Sequence, residues 1–186
     1  MKELDTREKI ITTYAEWIAF SGTRSGCPLK SREDVYPLIR VPNYNQILWG
    51  ETLITKAEFG TWHQKAIEII VAKSEKRLSI GWAAKLVNLY LKTMVYVSGY
   101  GRPELVKWIH PPIDSGLWQG IEEAYKGQKD ILTKTHFKTK NKDIVKYGDY
   151  QNIIEGMQMI ALDRNYLLIE VEELWKGTEY KSKQNL

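Results

Sequence analysis

The chain of 186 residues has one cysteine, Cys27, and only three histidines and three phenylalanines. A single cysteine excludes an internal disulfide framework, a cysteine-held zinc and an iron–sulfur cluster. His63, His110 and His136 stand far apart, without metal-ligand spacing, so no metal and no cofactor is expected. No apolar run is long enough to span a bilayer, and the opening MKELDTREKII lacks an apolar signal core. No membrane partner is therefore expected, and the expected location is the cytoplasm. Strand patterns are scarce, and no repeat recurs at a fixed period.

What the chain does have is large amphipathic rings: seven tryptophans and eleven tyrosines. Such rings fill cores, and they also stack on bases. The formal charge of +4 fits a polyanion without requiring one. With 43% hydrophobic residues, the length suits a single compact unit over residues 1–186, or two lobes sharing a core.

The clear segments follow the helical period, which predicts an all-α fold, a compact helical bundle. Residues 6–20 place Ile10, Ile11, Tyr14, Trp17 and Ile18 on one face, with Asp5 or Thr6 as cap. After a Gly- and Ser-rich loop over 21–31, Ser31 and Asn43 are expected to cap two short helices. Thr55-Lys56-Ala57-Glu58 is a capping-box pattern opening a long helix with Phe59, Trp62, Ala66, Ile69 and Ile70 inward. The turn SEKRLSIG leads to a second strong helix, about 82–97, apolar nearly all round and therefore central. An irregular connector, GYGRPELVKWIHPP, precedes a helix beginning behind Asp114. Residues 126–146 are lysine-rich and read as an exposed basic loop or ragged helix. Two last helices are expected over 149–162 and 165–176, then a frayed tail over 177–186.

Two helices joined by a tight glycine-containing turn form a hairpin able to hold a phosphate on backbone N–H groups. Leu78-Ser79-Ile80-Gly81 supplies such a turn. The run Ile80-Gly81-Trp82-Ala83-Ala84-Lys85-Leu86-Val87-Asn88 resembles the helix-hairpin-helix DNA glycosylases, in which the glycine turn leads to a lysine in the bifunctional members. Pro112-Ile113-Asp114-Ser115-Gly116-Leu117 is similar to the family's apolar–aspartate landmark at the head of the next helix. The likeness spans residues 58–125. Ala83 stands where the family usually has a second glycine, and the interval from lysine to aspartate is longer here.

The resemblance implies a base-excising enzyme acting on double-stranded DNA, in repair or against modified foreign DNA. Lys85 would be the nucleophile, and Asp114 would stabilise the cationic sugar. Ser79, Ile80 and Gly81 would grip a phosphate, with Lys134, Lys138, Lys140 and Lys142 as an added basic patch. Trp49, Trp62, Trp82, Trp108 and His110 are candidates for a base pocket. Against this stand plainer roles: a solvated lysine, an aspartate serving only as a helix cap, and tryptophans filling core. The alternative functions are a non-catalytic helix-hairpin-helix nucleic-acid-binding module and a helical protein that binds a protein or small ligand.

Overall fold

A computed structural model describes residues 5–23 and 26–177. The described residues form helices and connections with no strand, so the fold is all-α. The elements are α1 (Thr6–Ser21), α2 (Arg32–Ile39), α3 (Asn45–Leu48), α4 (Lys56–Lys73), α5 (Ile80–Leu91), α6 (Ser115–Ala124), α7 (Lys129–Lys134) and α8 (Tyr147–Arg164). A π-helical turn, Lys92–Val97, continues α5, and 3-10 turns occupy Leu105–Lys107, Asn141–Asp143 and Leu168–Leu174.

Local chemistry starts several of these helices. Asp5 with Glu8 and Thr55 with Glu58 close reciprocal capping boxes on α1 and α4. Ser31 caps α2 by accepting the Asp34 N–H, and Asp114 caps α6 by accepting the Leu117 N–H. Asn43 does not cap: α3 starts at Tyr44 without a side-chain cap bond.

Helix α5 is the axis of the molecule. Every one of its residues except Leu89 is buried, and α1, α2, α4, α8 and the Asn141–Asp143 turn pack around it. Its apolar residues and those of α4 (Phe59, Trp62, Ala66, Ile67 and Ile70) belong to one contiguous core. Each fully buried aliphatic or aromatic side chain contributes about 1.5–3 kcal/mol. This burial places any polar group on α5 in a low-dielectric setting.

Four expectations need correction. Helix α1 turns Ala15, Ala19, Glu8 and Glu16 inward and leaves Ile10, Tyr14 and Trp17 exposed. Small residues let α1 approach α5 closely, and Glu16 is satisfied by a two-pronged pair with Arg40 at 2.7 Å. On α4 the inward isoleucines are Ile67 and the expected Ile70, while Ile69 is exposed. The basic stretch 126–146 is not simply a loop: it holds α7 and buries Thr135, Asn141 and Ile144. The expected last helix over 165–176 is a 3-10 turn, because Asn165 ends α8 in the left-handed region. Of the expected tail over 177–186, only Gly177 lies within the described residues. No helix among the described residues is long and apolar enough to cross a membrane.

Two glycines position the parts that meet at the site. A methyl group on Gly81 would overlap the Asn141 backbone, and one on Gly120 would overlap the Leu174 carbonyl. The first glycine seats the 141–144 segment on α5. The second seats the C-terminal segment on α6.

Candidate functional site

Helix α5 carries Trp82, Lys85 and Asn88 at helical spacing, so the three lie along one side of the central helix. The connector to α6 brings Asp114 back to it. The Lys85 ammonium lies 3.2 Å from Asp114 Oδ2, with 10% and 22% of the two side chains exposed. The ammonium also sits 5.6 Å from the Trp82 ring centroid, within cation–π range.

Asp114 is held from three sides. Its Oδ1 accepts the Leu117 N–H at 3.0 Å and the Trp175 indole N–H at 2.9 Å. Its Oδ2 faces Lys85. A capped, indole-bound carboxylate has little freedom to turn, so its second oxygen is pre-aimed at the lysine. Glu172, from the same C-terminal segment, pairs with Lys92 at 2.6 Å, and burial raises its carboxyl pKa above the usual range.

Asp114 and Trp82 line a cavity of about 640 Å³, together with Trp118, Asn141, Lys138 and Lys140. Lys85 is not itself in that lining; its ammonium touches the two residues that are. Trp82 and Lys142 also line an adjoining cavity of about 590 Å³ that reaches Lys76, Arg77 and Ser79. The two cavities together make a lysine-edged groove running from the hairpin turn to Asp114.

The hairpin turn itself is occupied within the protein. The Gly81 N–H donates to Ile144 O at 3.1 Å, and Ser79 Oγ donates to Asn141 O at 2.6 Å. Ile80 is buried. Ser79 and Gly81 thus spend these groups on anchoring the 141–144 segment rather than leaving them for a phosphate. Lys138 and Lys140 do reach the cavity, with Lys138 paired to Glu122 at 2.9 Å, while Lys134 ends α7 outside it.

Of the five expected base-pocket residues, only Trp82 lines the cavity at Asp114. The Trp62 indole N–H is spent on Asn43 O, and that of Trp108 on Ile54 O. Trp49 packs edge-on against Tyr100. His110 belongs to a second polar cluster, one turn further along α5 around Asn88.

In that cluster the side chains are hydrogen-bonded to one another. Asn88 Nδ2 donates to Pro111 O at 3.2 Å and to Tyr150 Oη at 2.9 Å, so Asn88 Oδ1 accepts from His63 Nε2–H at 2.9 Å. In the neutral ring His63 Nδ1 then accepts the Tyr147 hydroxyl at 2.9 Å, while the 2.9 Å bond between His110 Nδ1 and Tyr150 Oη runs in the direction set by the His110 tautomer. Both imidazoles are neutral. Burial lowers the His63 pKa to about 4, partly opposed by its Asn88 bond. Burial lowers that of His110 well below the ordinary value, with help from His63 and Lys56. Through Asn88 and Pro111 this cluster fixes the connector that delivers Asp114.

Trp118, Asn141 and Trp175 were not anticipated at the site. Trp118 stands one turn beyond Asp114 on α6, a helical spacing readable from sequence. Asn141 and Trp175 carry no local signal, because packing alone brings them there. Among the described residues, no group of three His, Cys, Asp or Glu side chains is arranged to hold a metal. No family model, curated protein or solved structure matches the chain.

Proposed function

We propose that this protein is a DNA glycosylase of the helix-hairpin-helix type, acting on an extruded base through Lys85 and Asp114. The observation that carries the reading is the ion pair of 3.2 Å on the edge of a tryptophan- and lysine-lined cavity. Burial supports it further, since a lysine on the central helix beside an indole face is a costly arrangement for stability alone.

In the proposed reaction Lys85 first gives up a proton. Its nitrogen lone pair then attacks C1′ of the deoxyribose. The C1′–N bond breaks, and the base leaves with the bonding pair and takes up a proton. The nitrogen now bonded to C1′ loses a proton, its lone pair forms the C=N bond as the C1′–O4′ bond breaks, and O4′ takes up that proton, giving the iminium that links lysine to sugar. Asp114 acts electrostatically throughout, its carboxylate offsetting the positive charge that develops on the sugar. The lysines along the groove carry the phosphate contacts, and Trp82 and Trp118 offer faces for a base out of the stack.

The experiment is borohydride trapping on duplexes with damaged, modified and abasic sites, using wild type and Lys85→Ala. The expected result is a covalent adduct that the variant does not form. Base release without any adduct would move the chemistry to a water activated at Asp114. Binding without release or adduct would favour the non-catalytic module, with Lys85–Asp114 as a structural pair.

A further inference from the structure

A further cavity, of about 540 Å³, is lined by α4, α8 and the connector, and shares no lining residue with the two cavities of the groove. Phe59, Trp108 and Tyr147 give it aromatic walls, and Ile154 and Leu168 extend them. The polar atoms of these rings are spent inside the protein. The Trp108 indole N–H donates to Ile54 O, and the Tyr147 hydroxyl bonds His63. The walls therefore offer apolar surface to a guest, at a volume that suits a small ring compound.

His110 is a polar group set among those walls, with its ring edge-on to Phe59 at 5.3 Å. Its Nδ1 is bound to Tyr150 Oη, and its Nε2 has no partner in the chain. Among the described residues, the unpartnered side-chain atoms sealed from water belong to Ser21, Tyr44, Trp82, Asn141 and Glu172. His110 Nε2 is not one of them, so it stays open. Tyr150 Oη already accepts an Asn88 amide proton. The arrangement that pairs the Tyr150 proton has it donated to His110 Nδ1, which puts the proton of the neutral ring on Nε2.

Charge narrows the guest. Lys56, in the first turn of α4, lines the same cavity and makes no hydrogen bond or ion pair. Its ammonium is near enough to add to the burial and the His63 ring that lower the His110 pKa. Lys107, also in the lining, is paired with Glu104, and Glu155 is the one carboxylate that lines the cavity. Two cations against one anion favour a guest with a single negative charge.

We propose that this cavity binds a small aromatic monocarboxylate, its carboxylate held by the Lys56 ammonium and His110 Nε2–H and its ring laid against Phe59, Trp108 and Tyr147. Both bonds to the carboxylate are charge-assisted, and the lysine carries no competing partner. The site does not depend on the glycosylase reading.

The test titrates the full chain by calorimetry with indole-3-acetate, using indole-3-acetamide and tryptamine as neutral and cationic matches of similar shape. Wild type is expected to bind the acetate about tenfold or more tighter than either match. Nitrogen-15 NMR is expected to find the His110 proton on Nε2 and to see that signal move when the acetate binds. Lys56→Met, at an exposed position that the fold does not need, is expected to weaken acetate binding about tenfold, and His110→Phe likewise. Lys85→Ala is expected to bind the acetate as wild type does. No binding of the acetate, equal affinity for the amide, or undiminished binding by Lys56→Met overturns the inference. Loss of binding in Lys85→Ala places the probe in the groove instead and overturns it too. None of these results bears on adduct formation at Lys85.

Discussion

Two polar clusters meet helix α5 one turn apart, and they are built in opposite ways. Around Asn88, five side chains and one carbonyl exchange hydrogen bonds, in a buried setting that favours the neutral form of both histidines. Around Lys85, charge is retained, the pair is partly open, and an indole N–H and an amide oxygen nearby are unpaired. A fully satisfied buried network rigidifies and specifies a core. Charge and unpaired polar atoms gathered in one place mark a candidate site. The first cluster holds the connector, and the second includes the Asp114 that the connector delivers.

The contrast can be broken most forcefully at Asn88. Asn88→Ala strips partners from His63, Tyr150 and the Pro111 carbonyl at once, and should cost about 4 kcal/mol in urea denaturation. A loss under about 1 kcal/mol would show that the network is dispensable.

Acid tests the same cluster. The His63 pKa is lowered to about 4 from an ordinary value of 6.5. The folded state therefore favours the neutral ring, and the full contribution is present above pH 6.5. It is lost as pH falls from 6.5 through about 4, amounting to about 3 kcal/mol. Denaturant titrations across that window should show the decline, and His63→Gln should flatten it.

Gly120→Ala probes how the second cluster is assembled. The added methyl group meets the Leu174 carbonyl and lifts the segment that carries Trp175 to Asp114. Thermal melting should report about 2 kcal/mol of destabilisation, and the Trp175 indole proton should shift in NMR spectra.

The smallest stability effect is expected at Lys85. Lys85→Met takes the cation from Asp114 but leaves a carboxylate that is partly open to water and keeps its two N–H donors, so the loss should stay at about 1 kcal/mol, well short of the loss for a fully buried pair. Adduct formation should nevertheless vanish. A large loss of stability in that variant would make the pair structural and erase the difference between the clusters.

How much of this could be read in advance depended on sequence distance. The caps at Asp5, Ser31, Thr55 and Asp114 were legible because a cap is decided within three residues. The burial of α5 was legible because its apolar residues leave no polar face. The inward face of α1 was misread, since Ile10, Tyr14 and Trp17 outweigh Ala15 and Ala19 on any hydrophobic scale. Close helix approach rewards small residues, which no single-helix pattern reveals. The tryptophans were legible as large rings but not as neighbours, and only Trp82 and the unanticipated Trp118 share the cavity.

By itself, then, the sequence determined the helices, most of their starting points, the central helix and the two residues, Lys85 and Asp114, worth watching. These follow from interactions spanning a few residues, where backbone geometry leaves little choice. Only the tertiary structure decided that Asp114 would face Lys85, that Trp175 would hold it, and that Asn141 and Trp82 would line one cavity. Those meetings join positions 29 to 61 residues apart. They depend on how the whole core packs, on Gly81 and Gly120 admitting neighbouring backbone, and on the Asn88 cluster fixing the path between.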